Sequence, residues 1–169
     1  MSPVRRDPFP VLVVALDDVP PEGLELPLNV GPRALAALVT EGEEEPPAFV
    51  SALTGALRLR RLGVRLEVRG SFRVEATLAC DRCLAPTSAV LAGEIEEGLM
   101  LSSSGGGEPE GDEALAVTDG RVDLAGLLAE SFWLAWPYRF ICRPDCAGLC
   151  PTCGADLNRG ACGCRREPG

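Results

Sequence analysis

The sequence contains no histidine and no lysine, and all sixteen of its basic residues are arginine. Without histidine, the chain cannot form a Ser-His-Asp or Cys-His catalytic arrangement from its own residues. A transition-metal site would have to use thiolates or carboxylates. No glycine-rich phosphate loop opens a helix, and the carboxylates have no histidine or lysine partner. We therefore expect a protein that is not an enzyme and has no small-molecule substrate.

Long hydrophobic runs are also absent. The longest, Val11 to Leu16, has the length of a strand, so no transmembrane helix is predicted. The first ten residues include two arginines but no adjoining apolar stretch with a small-residue cleavage site. This argues against a secretory signal, and we expect a protein of the bacterial cytoplasm.

The net charge of −9 argues against a general nucleic-acid binder, because binding to phosphates needs clustered positive charge. The charge is uneven, however. Residues 55–83 contain seven arginines and three acids, a local balance of +4, whereas residues 101–123 contain six acids and one arginine. A local basic face is therefore compatible with an acidic chain.

A hydrophobic content of 46% is enough for a core, and the clearest pattern in it is that of a sheet. From Leu57 to Leu78, apolar residues alternate with polar ones, which places them on one face of the strands. Gly63 and Gly70 are expected at turns, so the pattern predicts an antiparallel meander. The opposite face carries arginines, which we interpret as a solvated surface with Arg–Glu pairs, or alternatively as an RNA- or partner-binding face: Arg58, Arg60, Arg65, Arg69 and Arg73.

Weaker patterns complete an α+β fold, an antiparallel meander with a packing helix and a zinc-ribbon-like tail. They predict strands at Val11–Leu16 and Ser88–Leu101, helical segments at Arg33–Val39 and Ala48–Leu53, and a longer helix at Asp123–Ala135 with Asp123 as N-cap. Residues 102–114 form a flexible acidic loop in this interpretation. The predicted division is an α+β domain over residues 1–138 and a cysteine-rich zinc-binding tail over 139–169.

The eight cysteines fall into four pairs, the number needed for two tetrahedral four-thiolate sites. The pairs are Cys80/Cys83, Cys142/Cys146, Cys150/Cys153 and Cys162/Cys164. Cys150-Pro151-Thr152-Cys153-Gly154 is typical of a zinc-ribbon knuckle, and Cys162-Gly163-Cys164 can close the same site.

Structural zinc is the favoured interpretation of these cysteines, with disulfides, thiol redox chemistry and an iron or iron–sulfur site as alternatives. Structural zinc contributes about 10–16 kcal/mol to folding, against about 2–4 kcal/mol for a disulfide. Disulfides rarely persist in a reducing cytoplasm. Cys80 and Cys83 alone could instead form a redox pair activated by Arg82, although no clear helix follows them.

Several segments resemble the YceD family, the large ribosomal RNA subunit accumulation proteins. They are LACDRCL at 78–84 with Pro86, the stretch from Ala129-Glu130 through Leu134 to Pro137, and CAGLCPTCGADLN at 146–158 with Cys162-Gly163-Cys164. The resemblance covers about residues 55–165. It implies a role in ribosome assembly, with large-subunit ribosomal RNA or a pre-ribosomal particle as partner.

The resemblance also implies a grouping of the cysteines. Cys80 and Cys83 would join Cys142 and Cys146, and the last four cysteines would form a self-contained second site. The competing partition joins Cys142, Cys146, Cys150 and Cys153. A second hypothesis for function is a zinc-bearing module that binds a basic ribosomal protein through the acidic loop, and a third is a thiol oxidoreductase. Arginines of the tail, Arg143, Arg159 and Arg165, form a second candidate RNA- or partner-binding surface.

Overall fold

The computed structural model describes residues 12–40, 47–103 and 114–164 of the chain. The fold is α+β, as predicted. Its strands are β1 (Val13–Ala15), β2 (Leu24–Val30), β3 (Ala48–Phe49), β4 (Leu53–Leu62), β5 (Arg65–Ala79), β6 (Pro86–Ser103), β7 (Ala114–Val117) and β8 (Arg121–Asp123). The helices are α1 (Pro32–Val39) and α2 (Ala125–Ala135), with a 3₁₀ turn at Leu16–Asp18. The predicted acidic loop lies outside the described residues for 104–113.

The main sheet has the strand order β2-β4-β5-β6-β7, and β3 pairs with β5 beside β4. All its pairings are antiparallel except that of β6 with β7. A second, two-stranded sheet joins β1 to β8. The predicted strand at Ser88–Leu101 is confirmed as part of β6, and the strand predicted at Val11–Leu16 is shorter, as β1 followed by the 3₁₀ turn.

The predicted alternation is confirmed in β4 and β5. Leu57, Leu59, Leu66 and Val68 are fully buried, whereas the arginines between them are exposed. The expected turn at Gly63 is present, with a φ of 62°, but the one expected at Gly70 is wrong. Gly70 lies inside β5, where a Cβ would overlap the carbonyl oxygen of Ala56 on β4. The glycine here allows close approach of two strands rather than a reversal of the chain.

The helical turn predicted at Ala48–Leu53 is also wrong. Ala48 and Phe49 form β3, which pairs with Ala76 and Thr77 of β5. The reason is tertiary: β4 pairs with β5 only as far as Arg73, so the last residues of β5 leave an edge that β3 occupies. Pairing to that edge satisfies backbone groups that a short helical turn would not.

The helices predicted at Arg33–Val39 and Asp123–Ala135 are present as α1 and α2. Pro32 is the first residue of α1, as expected for its fixed φ. The N-cap of α2 is Leu124, one residue after the predicted Asp123, and it makes no side-chain capping hydrogen bond. The Asp123 carboxylate accepts a hydrogen bond from the backbone N–H of Ala125 at 2.8 Å. Leu124, Leu128 and Phe132 are fully buried and pack α2 into the core.

None of the helices in the described residues is long and apolar enough to span a membrane.

Candidate metal centres

The cysteines form two four-thiol clusters in the structure. The first, cluster one, is Cys80, Cys83, Cys142 and Cys146; the second, cluster two, is Cys150, Cys153, Cys162 and Cys164. Within each cluster the four Sγ atoms all lie within 4.8 Å of one another. The structure thus brings the cysteines together in the grouping that the family resemblance implied, not in the competing partition.

Cluster one joins the sheet to the tail. Cys80 and Cys83 lie in the turn between β5 and β6, and 58 residues separate Cys83 from Cys142 in the chain. In this turn the N–H of Leu84 donates to the carbonyl of Cys80 at 2.8 Å, and the N–H of Cys80 donates to the carbonyl of Ala85 at 3.0 Å. Leu84 has a φ of 58°, an uncommon value for a residue with a branched side chain.

Cluster two contains a second turn, from Cys150 to Ala155, with the same hydrogen-bond pattern. The N–H of Gly154 donates to the carbonyl of Cys150, and the N–H of Cys150 donates to the carbonyl of Ala155, both at 2.8 Å. Gly154 has a φ of 72° and therefore occupies the position of Leu84 in the first turn. Glycine adopts this conformation at little cost. The Cys-x-x-Cys turns of the two clusters are thus built alike.

The sulfur spacing fits a tetrahedral metal site. The Sγ atoms of Cys80 and Cys146 are 3.9 Å apart, and those of Cys83 and Cys142 are 3.8 Å apart. A tetrahedron of thiolates at the usual Zn–S distance has an edge of about 3.8 Å. Both separations are far longer than the roughly 2.05 Å of a disulfide bond, and none of the eight cysteines forms a disulfide.

The electrostatics of the clusters fit a cation as well. The backbone N–H of Cys142 donates to the Cys80 sulfur, and it is the main cause that lowers the pKa of Cys80 to about 6. Burial and the neighbouring thiols raise the pKa of Cys142 to about 12. In cluster two the backbone N–H groups of Cys153 and Thr152 are the main cause that lowers the pKa of Cys150 to about 6. The Cys153 side chain and burial raise the pKa of Cys164 to about 12. Four adjacent thiolates therefore need a positive charge between them.

Arg82 connects the turn between β5 and β6 to the tail, a role that the sequence did not predict. Its guanidinium Nη1 donates to the backbone carbonyl of Cys146 at 2.9 Å, and its own carbonyl accepts from the N–H of Leu149 at 2.9 Å. The sequence suggested Arg82 as an activator of a thiol, but its side chain binds a backbone oxygen. No sequence signal distinguishes these two roles, because both follow from one arginine beside a cysteine.

Asn158 is a second residue that the sequence did not single out as functional. Its amide Nδ2 donates to the Cys146 sulfur at 3.6 Å, and its Oδ1 accepts from the N–H of Ala147 at 2.9 Å and from Arg143 at 2.8 Å. Asp156 accepts hydrogen bonds from Asn158, and the backbone N–H of Asn158 is the main cause that lowers the pKa of Asp156. The Asp-x-Asn spacing is the only local signal for this network.

The arginines predicted as a binding face lie where the alternation placed them. Arg58, Arg60, Arg65, Arg69 and Arg73 are all exposed. Arg69 pairs with Glu96 at 2.9 Å, as the solvated-surface interpretation expected. Arg58 lies directly opposite Arg69 of β5 on one side and Glu25 of β2 on the other. A depression of about 510 Å³ is lined by three of these arginines and two acids, Arg58, Arg60, Arg69, Glu22 and Glu67. Within the described residues Arg58 and Arg60 form no ion pair.

The tail arginines are exposed but engaged. Arg143 lies 3.5 Å from Asp145, and Arg159 lies 3.6 Å from Asp156. The third predicted tail residue, Arg165, lies outside the described residues. Within the described residues, four of the five predicted sheet arginines form no ion pair, whereas Arg143 and Arg159 of the tail both do.

Comparison with known proteins bears on the same region. The family model described as "Large ribosomal RNA subunit accumulation protein YceD" matches residues 68–169, which include all eight cysteines. An uncharacterized protein of Mycobacterium tuberculosis is 32% identical over 102 residues, covering 60% of this chain and 49% of the relative. An uncharacterized protein of Mycobacterium leprae is 26% identical over 102 residues, covering 60% and 47%.

A chloroplastic relative from Zea mays is named large ribosomal RNA subunit accumulation protein YCED homolog 1. It is 28% identical over 135 residues, covering 63% of this chain and 46% of the relative. The chain thus spans about half the length of the curated relatives it matches. No solved structure matches it at a comparable level.

Proposed function

This chain belongs to the YceD family of large ribosomal RNA subunit accumulation proteins, and on that premise we propose that it is a non-enzymatic factor for the accumulation of large-subunit ribosomal RNA. In this proposal it works in the cytoplasm on large-subunit ribosomal RNA or a pre-ribosomal particle. Each four-cysteine cluster holds one structural zinc ion, which fixes the tail on the sheet.

The observation that carries the proposal is the pair of four-thiol clusters inside the region that the family model matches. Four thiolates fill the coordination of zinc, whereas catalytic zinc keeps a position open for water. Zinc also matches the sulfur separations of 3.8 and 3.9 Å in cluster one. These features support a structural role for the metal.

The thiol oxidoreductase alternative has less support. The Cys80 sulfur is fully buried against that of Cys146, and the Cys83 sulfur contacts that of Cys142. A redox pair needs an accessible thiolate that reacts with its own partner. We therefore assign Cys80 and Cys83 to the metal.

For contact with RNA, the arginine face of β4 and β5 is the better candidate surface. Arg58 and Arg60 are exposed, free of ion pairs within the described residues, and line one depression. Guanidinium groups bind phosphate oxygens through two hydrogen bonds at once. The opposed pair Arg58 and Arg69 would lose its mutual repulsion when a phosphate lies between them.

The test is depletion of the protein in its own cells, followed by quantification of precursor and mature large-subunit RNA against small-subunit RNA. We expect the mature large-subunit RNA to fall and to recover with the wild-type gene. A Cys80→Ser, Cys83→Ser double variant is expected not to restore it. Unchanged levels of both large-subunit RNA forms after depletion would refute the proposal.

A further inference from the structure

A depression of about 250 Å³ lies beside cluster one, between the end of β5 and the segment that joins α2 to the tail. Three aromatic residues line it, together with prolines on both sides and one carboxylate: Trp136, Tyr138, Phe140, Pro47, Pro137 and Asp81. We call this feature the aromatic depression. It is distinct from the depression that the sheet arginines line.

The aromatic depression is open to solvent and held in shape. Tyr138 is the most exposed large hydrophobic side chain of the described residues, at 105%. Its segment is fixed by two hydrogen bonds: the N–H of Phe140 donates to Asp81 Oδ2 at 2.7 Å, and the N–H of Asp81 donates to the Phe140 carbonyl at 2.9 Å. An uncovered aromatic side chain on a fixed segment is a frequent feature of interaction sites.

The chemistry of the lining selects a cation. Asp81 is the only charged residue among the described residues that line the depression. Its second oxygen, Oδ1, accepts no hydrogen bond from the described part of the chain. Faces of Trp and Tyr rings attract guanidinium and ammonium groups, and a carboxylate at the edge adds an ion pair. The volume of about 250 Å³ suits one long side chain rather than a whole folded domain or a large cofactor.

We propose that the aromatic depression binds an arginine or lysine side chain presented by a basic protein segment. The inference rests on the proposed function for its setting, since assembly of a ribosomal particle supplies basic proteins; the geometry and charge of the lining point to a cation independently of that setting. The net charge of −9 would speed the encounter with such a partner. This contact differs from the predicted binding through the acidic loop, because the aromatic depression lies beside cluster one.

Nucleic acid is the competing occupant, since bases also stack on exposed aromatic rings. Asp81 argues against it, because a carboxylate beside the rings repels phosphate. Two arginines lie next to lining residues in the chain, and neither lines the depression. Arg82 is directed to the Cys146 carbonyl, and Arg139, between Tyr138 and Phe140, is exposed.

The experiment titrates ¹⁵N-labelled, zinc-loaded protein with the blocked peptide acetyl-Gly-Arg-Gly-Arg-Gly-amide in 0.15 M salt, following amide shifts by NMR. Asp81→Asn removes the charge while keeping an oxygen that can accept from Phe140, and Tyr138→Ala removes the ring. The matched controls are Asp18→Asn, an exposed acid on the 3₁₀ turn, and Leu134→Ala, an exposed apolar residue of α2. Neither control residue lines the depression. All variants must retain the zinc content of the wild type.

We expect shifts at Asp81, Tyr138 and Phe140, a dissociation constant about tenfold higher in each depression variant, and a change below about twofold in each control. No binding, or equal weakening in all four variants, would overturn the proposal. So would a twelve-nucleotide oligouridine that shifts the same amides and still binds Asp81→Asn, because that result assigns the site to nucleic acid. Cellular RNA levels are independent of this titration, so either proposal can fail alone.

Discussion

Leu84 and Gly154 occupy equivalent positions in the Cys-x-x-Cys turns of the two clusters, each with a positive φ. A residue with a Cβ pays about 1–2 kcal/mol for this conformation. The side chain of Leu84 is 64% exposed, so little hydrophobic burial offsets that cost. At the residue scale, the first turn is therefore the more strained of the two.

We predict opposite effects from exchanging these residues. Gly154→Leu should lower the free energy of unfolding of the zinc-loaded protein by about 1–2 kcal/mol. Leu84→Gly should leave it unchanged or raise it by less than about 1 kcal/mol, since glycine also gains entropy in the unfolded chain. Urea unfolding followed by circular dichroism measures both, and a destabilising Leu84→Gly would contradict the equivalence of the turns.

Glycines also decide packing at the scale of the sheet. Gly70 on β5 lies between Leu57 of β4 and Ile95 of β6, and the next inward residue, Phe72, lies between Gly55 and Gly93. Large and small residues thus alternate across and along the strands. This arrangement lets three strands approach closely under α2, where Gly93 faces Ala135.

Substituting alanine for two glycines should give effects of opposite sign. Gly70→Ala is expected to destabilise the protein by about 1–3 kcal/mol, because its Cβ overlaps the backbone of β4. Gly126→Ala, in α2 with nothing within 4 Å of its Cβ, should stabilise it by up to about 1 kcal/mol. The measurement is the urea midpoint of each variant; equal midpoints would mean that β4 and β5 are not in this close contact.

The arginine face gives a second prediction at the element scale. The double variant Arg58→Ser, Arg60→Ser should bind single-stranded large-subunit RNA fragments more weakly. It should also reduce the slope of log K against log salt by about 1.4, the value expected when two phosphate contacts are lost. The matched control is Arg33→Ser with Arg121→Ser, exposed arginines of α1 and β8. Equal losses in both double variants would show a net-charge effect without a binding face.

At the scale of the whole molecule, the two clusters hold the tail differently. Cluster one bridges the β5–β6 turn and the tail, whereas all four cysteines of cluster two lie between residues 150 and 164. Loss of cluster one should therefore release the whole tail from the sheet. Loss of cluster two should free only the segment after Leu149, whose N–H still binds Arg82.

We predict that native mass spectrometry of the reduced protein shows two zinc ions and that each double cysteine variant shows one. Hydrogen exchange should then rise between Phe140 and Leu149 in Cys80→Ser, Cys83→Ser, where cluster two keeps its zinc and its internal hydrogen bonds, but after Leu149 in Cys150→Ser, Cys153→Ser. Each variant is the control for the other. Masses reduced by two hydrogens per cysteine pair, without metal, would indicate disulfides and contradict the assignment.

The sequence by itself determined the local patterns of this protein. Alternation in Leu57–Leu78 identified the buried face and the arginine face, Asp123 marked the start of α2, and the cysteine spacing indicated two four-thiol sites. These features are encoded within a few residues, because side-chain direction and metal knuckles depend on neighbours in the chain.

Only the tertiary structure decided which segments meet. It placed Ala48–Phe49 in a strand, kept β5 continuous through Gly70, directed Arg82 to the Cys146 carbonyl and brought Asp81 beside Tyr138. Each of these depends on contacts between segments far apart in the chain: the edge that β4 leaves on β5, and the tail that folds back on the β5–β6 turn. Local propensity carries no information about such contacts, since the free energy that fixes them comes from packing and pairing across the fold.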